Sequence, residues 1–379
     1  MLITTGHELK KLMSKALREP AVAIDTEFLW EYTFYPRLGL VQLGIREECY
    51  LIDPVTIDDL SPLGELLAEK SVCKILHDAQ QDLVILKAAT GANPRNIFDT
   101  RLAYGFCSSS SVLSLSALLE ETLGVKLPKT ETRSDWLMRP LTDKMYDYAC
   151  DDVKYLTELM NFIITKAEEQ NTAEWLDEEM KKYDSALLYK EIGPQEYFRK
   201  IKGIDQLKGR KLAVLRELAA WREKTARRKN RPRGHIIHNN ILLTLSYKCP
   251  RKIEDLKKID RLTPKIVKMY GVNLLKCVEK GMDTAPENYP VPVSRLRRKH
   301  AAGMIFDLIK EKAALFNIDP ALVCSRKELT QILDLHGSED YRKSRIFKGW
   351  RNDFMQEVYK NVEAAELLLN TELHSNSQC

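Results

Sequence analysis

The hydrophobic pattern changes midway along this chain, and no other feature limits the possible folds as strongly. In the first half, helical patterns alternate with strand-like apolar runs at 21–28, 38–45, 48–53 and 72–76. Beyond residue 190 almost every apolar spacing is that of a helix. Strands joined by short connections, followed by strand–helix alternation, predict a mixed sheet with helices on its faces. We therefore expect an α/β first half and an all-α second half.

Domain boundaries follow from the length and from the positions of proline. The chain of 379 residues is long enough for two or three domains. The stretch APENYPVPVS at 285–294 carries three prolines and few helix formers, which is typical of a linker. The prediction is a sheet-containing domain over 1–190, a helical domain over 205–285 and a second helical domain over 295–370. Three residues of the helical half are interpreted as separators between helices: Pro250, Pro264 and Gly281.

Composition excludes several classes of protein. Apolar residues make up 44% and charged residues 30% of the chain, as in soluble globular proteins. No run approaches the roughly 18 apolar residues that span a bilayer, and the polar N-terminus predicts an amphipathic helix instead of a secretory signal. The eight cysteines include no C-x-x-C pair, so we expect free thiols in a reducing cytoplasm, without a zinc site or a disulfide framework. No feature fixes the oligomeric state, and a monomer is favoured.

Charge is distributed unevenly between the two halves. Residues 1–190 carry 21 Lys and Arg against 31 Asp and Glu, whereas residues 191–379 carry 38 against 23. This asymmetry indicates a nucleic-acid contact surface in the second half, although ordinary solvated helix faces would give the same composition. The densest basic stretch, TARRKNRPRG at 225–234, is predicted to contact nucleic-acid phosphates, and the alternative is a solvated helix end. It contains five cations: Arg227, Arg228, Lys229, Arg231 and Arg233.

Two carboxylates stand at the end of the apolar run AVAIDTEF. In a strand Asp25 and Glu27 point to the same face, where they repel each other and lose hydration. One interpretation is a strand end that emerges into solvent, and the other is a divalent metal site. Asp82, near the start of a predicted helix, is explained equally well as a helix-dipole partner or as a site residue at the sheet edge.

A further candidate pair lies in the stretch YDYACDDVKYL. Tyr148 and Asp152 are four residues apart and share one face of a helix, but Asp151 is also at a helix-compatible spacing from the tyrosine. Four converging carboxylates would require hard cations such as Mg²⁺ or Mn²⁺, and two such ions about 4 Å apart can clamp a phosphodiester. No P-loop or glycine-rich phosphate cradle is present, so we expect no nucleotide cofactor.

Several long stretches make this sequence resemble the bacterial ribonuclease D family. They are IDTEF with YPRLGLVQLG, HDAQQDL, IFDTRLAYGF, TRSDWLMRPLT and YACDDVKYL. The resemblance implies an RNase H-like fold and the DEDD exonuclease motifs of the tyrosine subgroup. It makes Asp25, Glu27, Asp82 and Asp152 the metal ligands, and it selects Asp152 over Asp151. The segment 207–256 resembles an HRDC domain, and 295–370 resembles a second, more divergent copy.

The resemblance also implies a reaction, namely 3′→5′ hydrolysis of RNA that releases nucleoside 5′-monophosphates, with transfer RNA precursors as substrate. Asp25 would bridge two ions, Glu27 and Asp152 would complete the ion that activates water, and Asp82 would support the second ion. Tyr148 would orient the attacking water, because an ordinary tyrosine pKa of about 10 makes it a poor base. The alternatives are a 3′→5′ DNA exonuclease and a non-catalytic nucleic-acid-binding scaffold.

Overall fold

The computed structural model describes residues 1–128, 134–284, 295–334, 343–356, 358 and 360. Contacts divide the chain into two compact units. The first unit consists of Met1–Glu27, Leu38–Tyr189 and Pro292–Cys379, and the second of Phe28–Arg37 and Lys190–Val291. None of the described helices is long and apolar enough to cross a membrane.

A six-stranded mixed sheet forms the centre of the first unit. Its strands are β1 (Leu2–Ile3), β2 (Ala21–Leu29), β3 (Arg37–Ile45), β4 (Glu48–Ile52), β5 (Cys73–Leu76) and β6 (Ile97–Asp99). They lie in the order β1-β4-β3-β2-β5-β6. β3 and β4 are antiparallel, whereas β1 runs parallel to β4 and β2, β5 and β6 run parallel to one another. The predicted mixed sheet is confirmed, and β1 and β6 are additional to the four predicted strands.

Helices of the first unit pack on this sheet. They are α1 (Gly6–Ala16), α2 (Ser61–Ala68), α3 (Gln80–Thr90), α4 (Thr100–Tyr104), α5 (Leu115–Leu123), α6 (Asp143–Lys154), α7 (Leu156–Glu169) and α8 (Ala173–Met180). A capping box between Thr5 and Glu8 fixes the start of α1. The apolar spacing of the sequence predicts one helix over 143–168, which the structure divides at Tyr155 into α6 and α7. Ile24 and Ile75, both fully buried, belong to the common core.

The second unit is helical, as predicted. Its helices are α9 (Arg210–Lys229), α10 (Arg233–Ile236), α11 (Asn239–Lys248), α12 (Ile253–Leu256) and α13 (Pro264–Asp283). The leucine spacing of 207–230 predicts one apolar face on α9. That face is buried, with Leu212, Leu215 and Leu218 fully inaccessible to solvent. These leucines pack in one cluster with residues of α11 and α13, including Leu242 and Leu274.

The chain after residue 294 packs on the sheet-containing unit. Its described helices are α14 (Arg295–Leu315), α15 (Pro320–Val323) and α16 (Arg326–Asp334), and residues 349–356 are also helical. Asp319 accepts hydrogen bonds from the backbone N–H and hydroxyl of Ser111 at 2.8 and 2.6 Å, and the Trp350 ring stacks on Trp175 at 5.5 Å. In its described part, the segment predicted as a separate domain over 295–370 therefore shares the core of the first unit.

Gly281 was interpreted as a helix separator, and this interpretation is wrong. The residue lies inside α13, where a Cβ atom would be 2.4 Å from the Cα atom of Val214 in α9. The absence of a side chain lets the two helix backbones approach closely, so packing explains this glycine.

Gly281→Ala should destabilise the second unit by about 1–3 kcal/mol, the usual effect of overpacking, because backbone atoms of Val214 cannot move aside. Urea unfolding of the full chain, followed by circular dichroism, measures the change. Gly303→Ala is the matched control, because a Cβ atom at that helical glycine meets no atom within 4 Å and should be neutral or stabilising. Equal stability of the two variants would contradict the explanation.

Candidate active site

Carboxylates from two separate elements converge in the first unit. Asp25 and Glu27 lie on β2, and Asp152 lies on α6. One carboxylate oxygen from each of the three residues lies within 4.8 Å of the others, and all three residues are half-buried. Among the described residues, this group does not include Asp151, the alternative that helical spacing left open. Asp152 therefore faces the β2 acids.

The fourth predicted acid lies beside this group. Asp82 is buried in the first turn of α3. Its Oδ1 atom accepts a hydrogen bond from the hydroxyl of Thr26, the residue between Asp25 and Glu27. The charge of Asp82 also contributes to the raised pKa of Asp25. Asp82 therefore lies outside the closest group of three, and its charge acts on Asp25 and Glu27.

Hydrogen bonds from the neighbouring strand fix the turn that leads into α3. Asp99, at the end of β6, accepts from the backbone N–H groups of Asp78 and Ala79 at 3.0 and 3.1 Å. The hydroxyl of Tyr183 donates to the same carboxylate at 2.5 Å. Asp78 has a positive φ of 61°, a conformation that is uncommon for residues other than glycine. The placement of Asp82 therefore depends on Asp99, which the sequence did not single out.

The electrostatics of the site favour a cation. Burial, reinforced by the neighbouring carboxylates, raises the pKa of Glu27 to about 8. Burial likewise raises the pKa of Asp152 to about 7 and that of Asp82 to about 6, and it holds the pKa of Asp25 well above its usual range. A hard divalent ion offsets both lost hydration and mutual repulsion, and the all-oxygen donor set suits Mg²⁺ or Mn²⁺.

Tyr148 lies one helical turn before Asp152. Burial, followed by the charges of Asp152 and Glu27, raises the pKa of its hydroxyl well above the usual value. The group therefore keeps its proton near neutral pH and serves as a hydrogen-bond donor. A phenol that keeps its proton is poorly suited to general-base catalysis.

A half-buried arginine supports the residue against which Tyr148 packs. Arg139 donates to both carboxylate oxygens of Asp53 at 2.6 Å, to the Trp136 carbonyl at 2.9 Å and to the Gly39 carbonyl at 2.7 Å. The Trp136 ring lies 6.0 Å from that of Tyr148. Arg139 is thus a positioning residue that sequence reasoning missed. The available signal was the stretch TRSDWLMRPLT, to whose residues no role was assigned.

Comparisons with known proteins agree with this geometry. The 3′-5′ exonuclease family matches residues 1–168, and the HRDC domain family matches residues 211–278. A ribonuclease D from Desulfotalea psychrophila is 40% identical over 95% of this chain and 97% of its own length. Ribonuclease D from Escherichia coli is 30% identical over 95% of this chain and 97% of its own length.

The chain belongs to the ribonuclease D family. A crystal structure of Escherichia coli RNase D, described as an exoribonuclease involved in structured RNA processing, matches with a TM-score of 0.86 at 29% identity, covering 96% of this chain and 98% of that one. The activity of this family member is that of a 3′–5′ exoribonuclease. One HRDC domain is shown, within the second unit, and the second copy over 295–370 stays a prediction.

The five cations of the predicted RNA-contacting stretch fall into two groups. Arg227 and Arg233 both pair with the fully buried carboxylate of Glu223, at 3.1 and 2.6 Å. The other three cations are exposed: Arg228, Lys229 and Arg231. Arg227 and Arg233 therefore neutralise a buried charge within the second unit, a role that composition could not indicate.

The prediction of eight free thiols is wrong for two cysteines. Cys49 on β4 and Cys150 on α6 form a disulfide, with their Cα atoms 5.7 Å apart. The two residues are 101 positions apart in sequence, and only the packing of α6 on β4 brings them together. Cys150 lies between Tyr148 and Asp152, so the bond joins the site helix to the sheet. The described cysteines outside this pair are free, as predicted.

Alkylation of the unfolded chain should show two more reactive thiols after reduction than before it, because one disulfide is present. Mass spectrometry of the alkylated protein gives the count. Such bonds are unusual in a reducing cytoplasm, so the protein should be alkylated directly on cell lysis as well as after purification. In Cys49→Ser the difference should disappear. Equal counts before and after reduction of the wild type would contradict the pairing.

Without divalent metal, stability should fall as pH rises from about 5 to about 8. The site carboxylates have folded pKa values above the roughly 4 of an unfolded chain. In this range the folded state therefore binds more protons than the unfolded state, and raising pH favours unfolding.

Thermal unfolding in EDTA at several pH values measures this slope. Excess Mg²⁺ should remove most of the loss at pH 8, and Asp25→Asn should have a shallower slope in EDTA because one titrating acid is gone. A wild type and variant with the same slope would show that the site carboxylates do not cause the dependence.

Proposed function

We propose that this exoribonuclease trims single-stranded 3′ tails from structured RNA, in particular transfer RNA precursors in the cytoplasm, and releases nucleoside 5′-monophosphates. The convergence of Asp25, Glu27 and Asp152, with Asp82 beside them, carries the proposal. The description of the Escherichia coli relative as an enzyme of structured RNA processing supports the substrate class.

The same four acids would hold two divalent ions, Mg²⁺ or Mn²⁺. Bound ions of this kind polarise the phosphodiester and lower the pKa of water. The carboxylates would bind the ions and neutralise their charge, with Asp25, Glu27 and Asp152 nearest one another. In the overall reaction a water oxygen forms a bond to phosphorus, and the bond from phosphorus to the preceding 3′ oxygen breaks. That oxygen takes up a proton, and the phosphate stays bonded to the 5′ oxygen of the released nucleotide.

Tyr148 would orient the attacking water. Its raised pKa keeps the phenol protonated, and its ring is held against Trp136. A fixed donor of this kind restricts the direction from which water approaches phosphorus, which lowers the entropic part of the barrier.

A transfer RNA precursor with a labelled 5′ end and a 3′ trailer tests the proposal. The wild type should shorten it stepwise with Mg²⁺ or Mn²⁺ and not in EDTA, with nucleoside 5′-monophosphates as product. Asp25→Asn should abolish shortening while circular dichroism stays unchanged. A matched DNA strand degraded equally fast would favour the DNA exonuclease instead, and full activity of Asp25→Asn would end the metal-site proposal.

Tyr148→Phe removes the hydroxyl and keeps the ring against Trp136. Turnover should fall by roughly 10²–10⁴-fold, the usual contribution of a positioned proton-handling group, with little change in the affinity for RNA. Single-turnover kinetics and a binding isotherm measured in EDTA separate the two effects. Normal turnover would reduce Tyr148 to a packing residue.

The second unit would contribute attraction for the RNA backbone. Its basic stretch was predicted to contact RNA through all five cations, and the exposure of Arg228, Lys229 and Arg231 supports this role for those three. Arg227 and Arg233 are less available, because both pair with Glu223. We therefore assign phosphate contacts chiefly to the three exposed cations.

Reversing charge at Arg228 and Arg231 together should weaken RNA binding and reduce its salt dependence. Each lost phosphate contact lowers the slope of log affinity against log salt by about 0.7–0.9. The control reverses the exposed Lys257 and Lys258, which gives the same change in net charge at another place in the second unit. Equal slopes for the two double variants would mean that only net charge matters.

A further inference from the structure

The segment Phe28–Arg37, which follows the D-x-E motif, exposes an unusual number of aromatic rings. Trp30, Tyr32 and Tyr35 are 47%, 63% and 44% exposed. Across the described ranges of the chain, the only other aromatic residue with comparable exposure is Tyr247, at 64%. Exposed apolar groups that cluster in this way usually mark a binding surface.

This segment is anchored inside the second unit. The side-chain oxygen of Asn230, at the end of α9, accepts from the backbone N–H groups of Phe34 and Tyr35 at 3.0 and 3.1 Å. The Phe34 ring is buried in a cluster with Ala226 and Ile236, and the Arg233 guanidinium lies 4.5 Å from its centre. The backbone between the exposed rings is therefore held in place before any ligand binds.

The indole of Trp30 is oriented as well. Its ring N–H donates to the Phe34 carbonyl at 2.9 Å, so its polar edge is satisfied within the segment while nearly half of the side chain stays exposed. A ring fixed in this way loses little conformational entropy when it stacks on a planar ligand.

Cations border the same anchor. Asn230 stands between Lys229 and Arg231, and all three are exposed. Aromatic rings for bases together with cations for phosphates are the usual surface for single-stranded nucleic acid. Only two residues separate Trp30 from Glu27, so their Cα atoms are at most about 11 Å apart. That span limits contact to nucleotides near the reacting end.

We propose that Trp30, Tyr32 and Tyr35 form a stacking platform for unpaired bases near the RNA 3′ end, with Arg228 and Arg231 on the adjoining phosphates. The inference rests on the proposed function for the choice of RNA, and it adds a basis for selecting single-stranded tails. Bases inside a duplex have no free face for these rings, so a paired 3′ end does not engage the platform.

The test measures binding of a short unstructured single-stranded RNA to the full chain in EDTA, so that no hydrolysis occurs. Trp30→Ala should raise Kd by about 5- to 150-fold, the range for one base–aromatic stack. Trp30→Phe should recover most of this loss, because it keeps a stacking ring. The recovery should be incomplete, because phenylalanine lacks the indole N–H that orients the ring. Tyr247→Ala, a ring of similar exposure, should bind as the wild type does.

Two further measurements separate stacking from a structural effect. An RNA with abasic 3′-terminal positions should bind the wild type and Trp30→Ala equally, since neither can stack on it. Tryptophan fluorescence of the chain, which contains five tryptophans, should be quenched by single-stranded RNA in the wild type and much less in Trp30→Phe. The platform would be overturned if Trp30→Phe binds as weakly as Trp30→Ala. It would also be overturned if Trp30→Ala loses as much affinity for abasic RNA as for ordinary single-stranded RNA.

These outcomes are separate from those of the proposed function. A wild type that binds single-stranded RNA through Trp30 but does not shorten it would contradict the exonuclease proposal and keep the platform. If the wild type shortens RNA but Trp30→Ala binds RNA with the same Kd as the wild type, the exonuclease proposal is kept and the platform is contradicted. A blunt RNA duplex should bind the wild type and Trp30→Ala with the same affinity. If Trp30→Ala loses as much affinity for the duplex as for single-stranded RNA, the platform is also overturned.

Discussion

Mutual repulsion between carboxylates is the constraint on which the first unit depends. Asp25, Glu27 and Asp152 lie within 4.8 Å of one another, and burial makes their shared charge costly until a cation binds. Flexible loops would let such groups separate, so rigid elements must hold them. β2 is an inner strand of the sheet, and Asp99 fixes the turn before α3.

The site helix is held by two contacts of different chemistry. The Cys49–Cys150 disulfide joins α6 to β4. On the same helix, Tyr148 packs against Trp136. Arg139, which pairs with Asp53, donates directly to the Trp136 carbonyl. These contacts leave the acids few ways to move apart. The acids are therefore held together without a ligand, and such preorganisation would reduce the entropy lost on binding a cation.

Sequence patterns predicted the parts of this fold that depend on local periodicity. The four longer strands and the apolar face of α9 were found because each buries a repeated set of side chains. β1 and β6 span only two and three residues, too few to show a period, and the break at Tyr155 leaves the apolar spacing unchanged. The acids were singled out because their motif spacing matches a known family. Asp99, Arg139 and the disulfide were missed because their partners are distant in sequence.

Net charge overstates the attraction that the basic half offers to RNA. Glu223 is fully buried, and it pairs with Arg227 and Arg233. Removing either arginine would leave more buried negative charge unpaired, an effect on stability that would imitate weak binding. The exposed cations of the same stretch do not pair with Glu223, so replacing them should not unbalance this buried charge. Their chain neighbour Asn230 holds the aromatic segment, so phosphate attraction and base stacking originate at one helix end. Attraction by charge acts on any RNA, whereas stacking requires unpaired bases. A surface that combines them discriminates between a tail and a duplex without reading sequence, which is the discrimination that trimming a structured RNA requires.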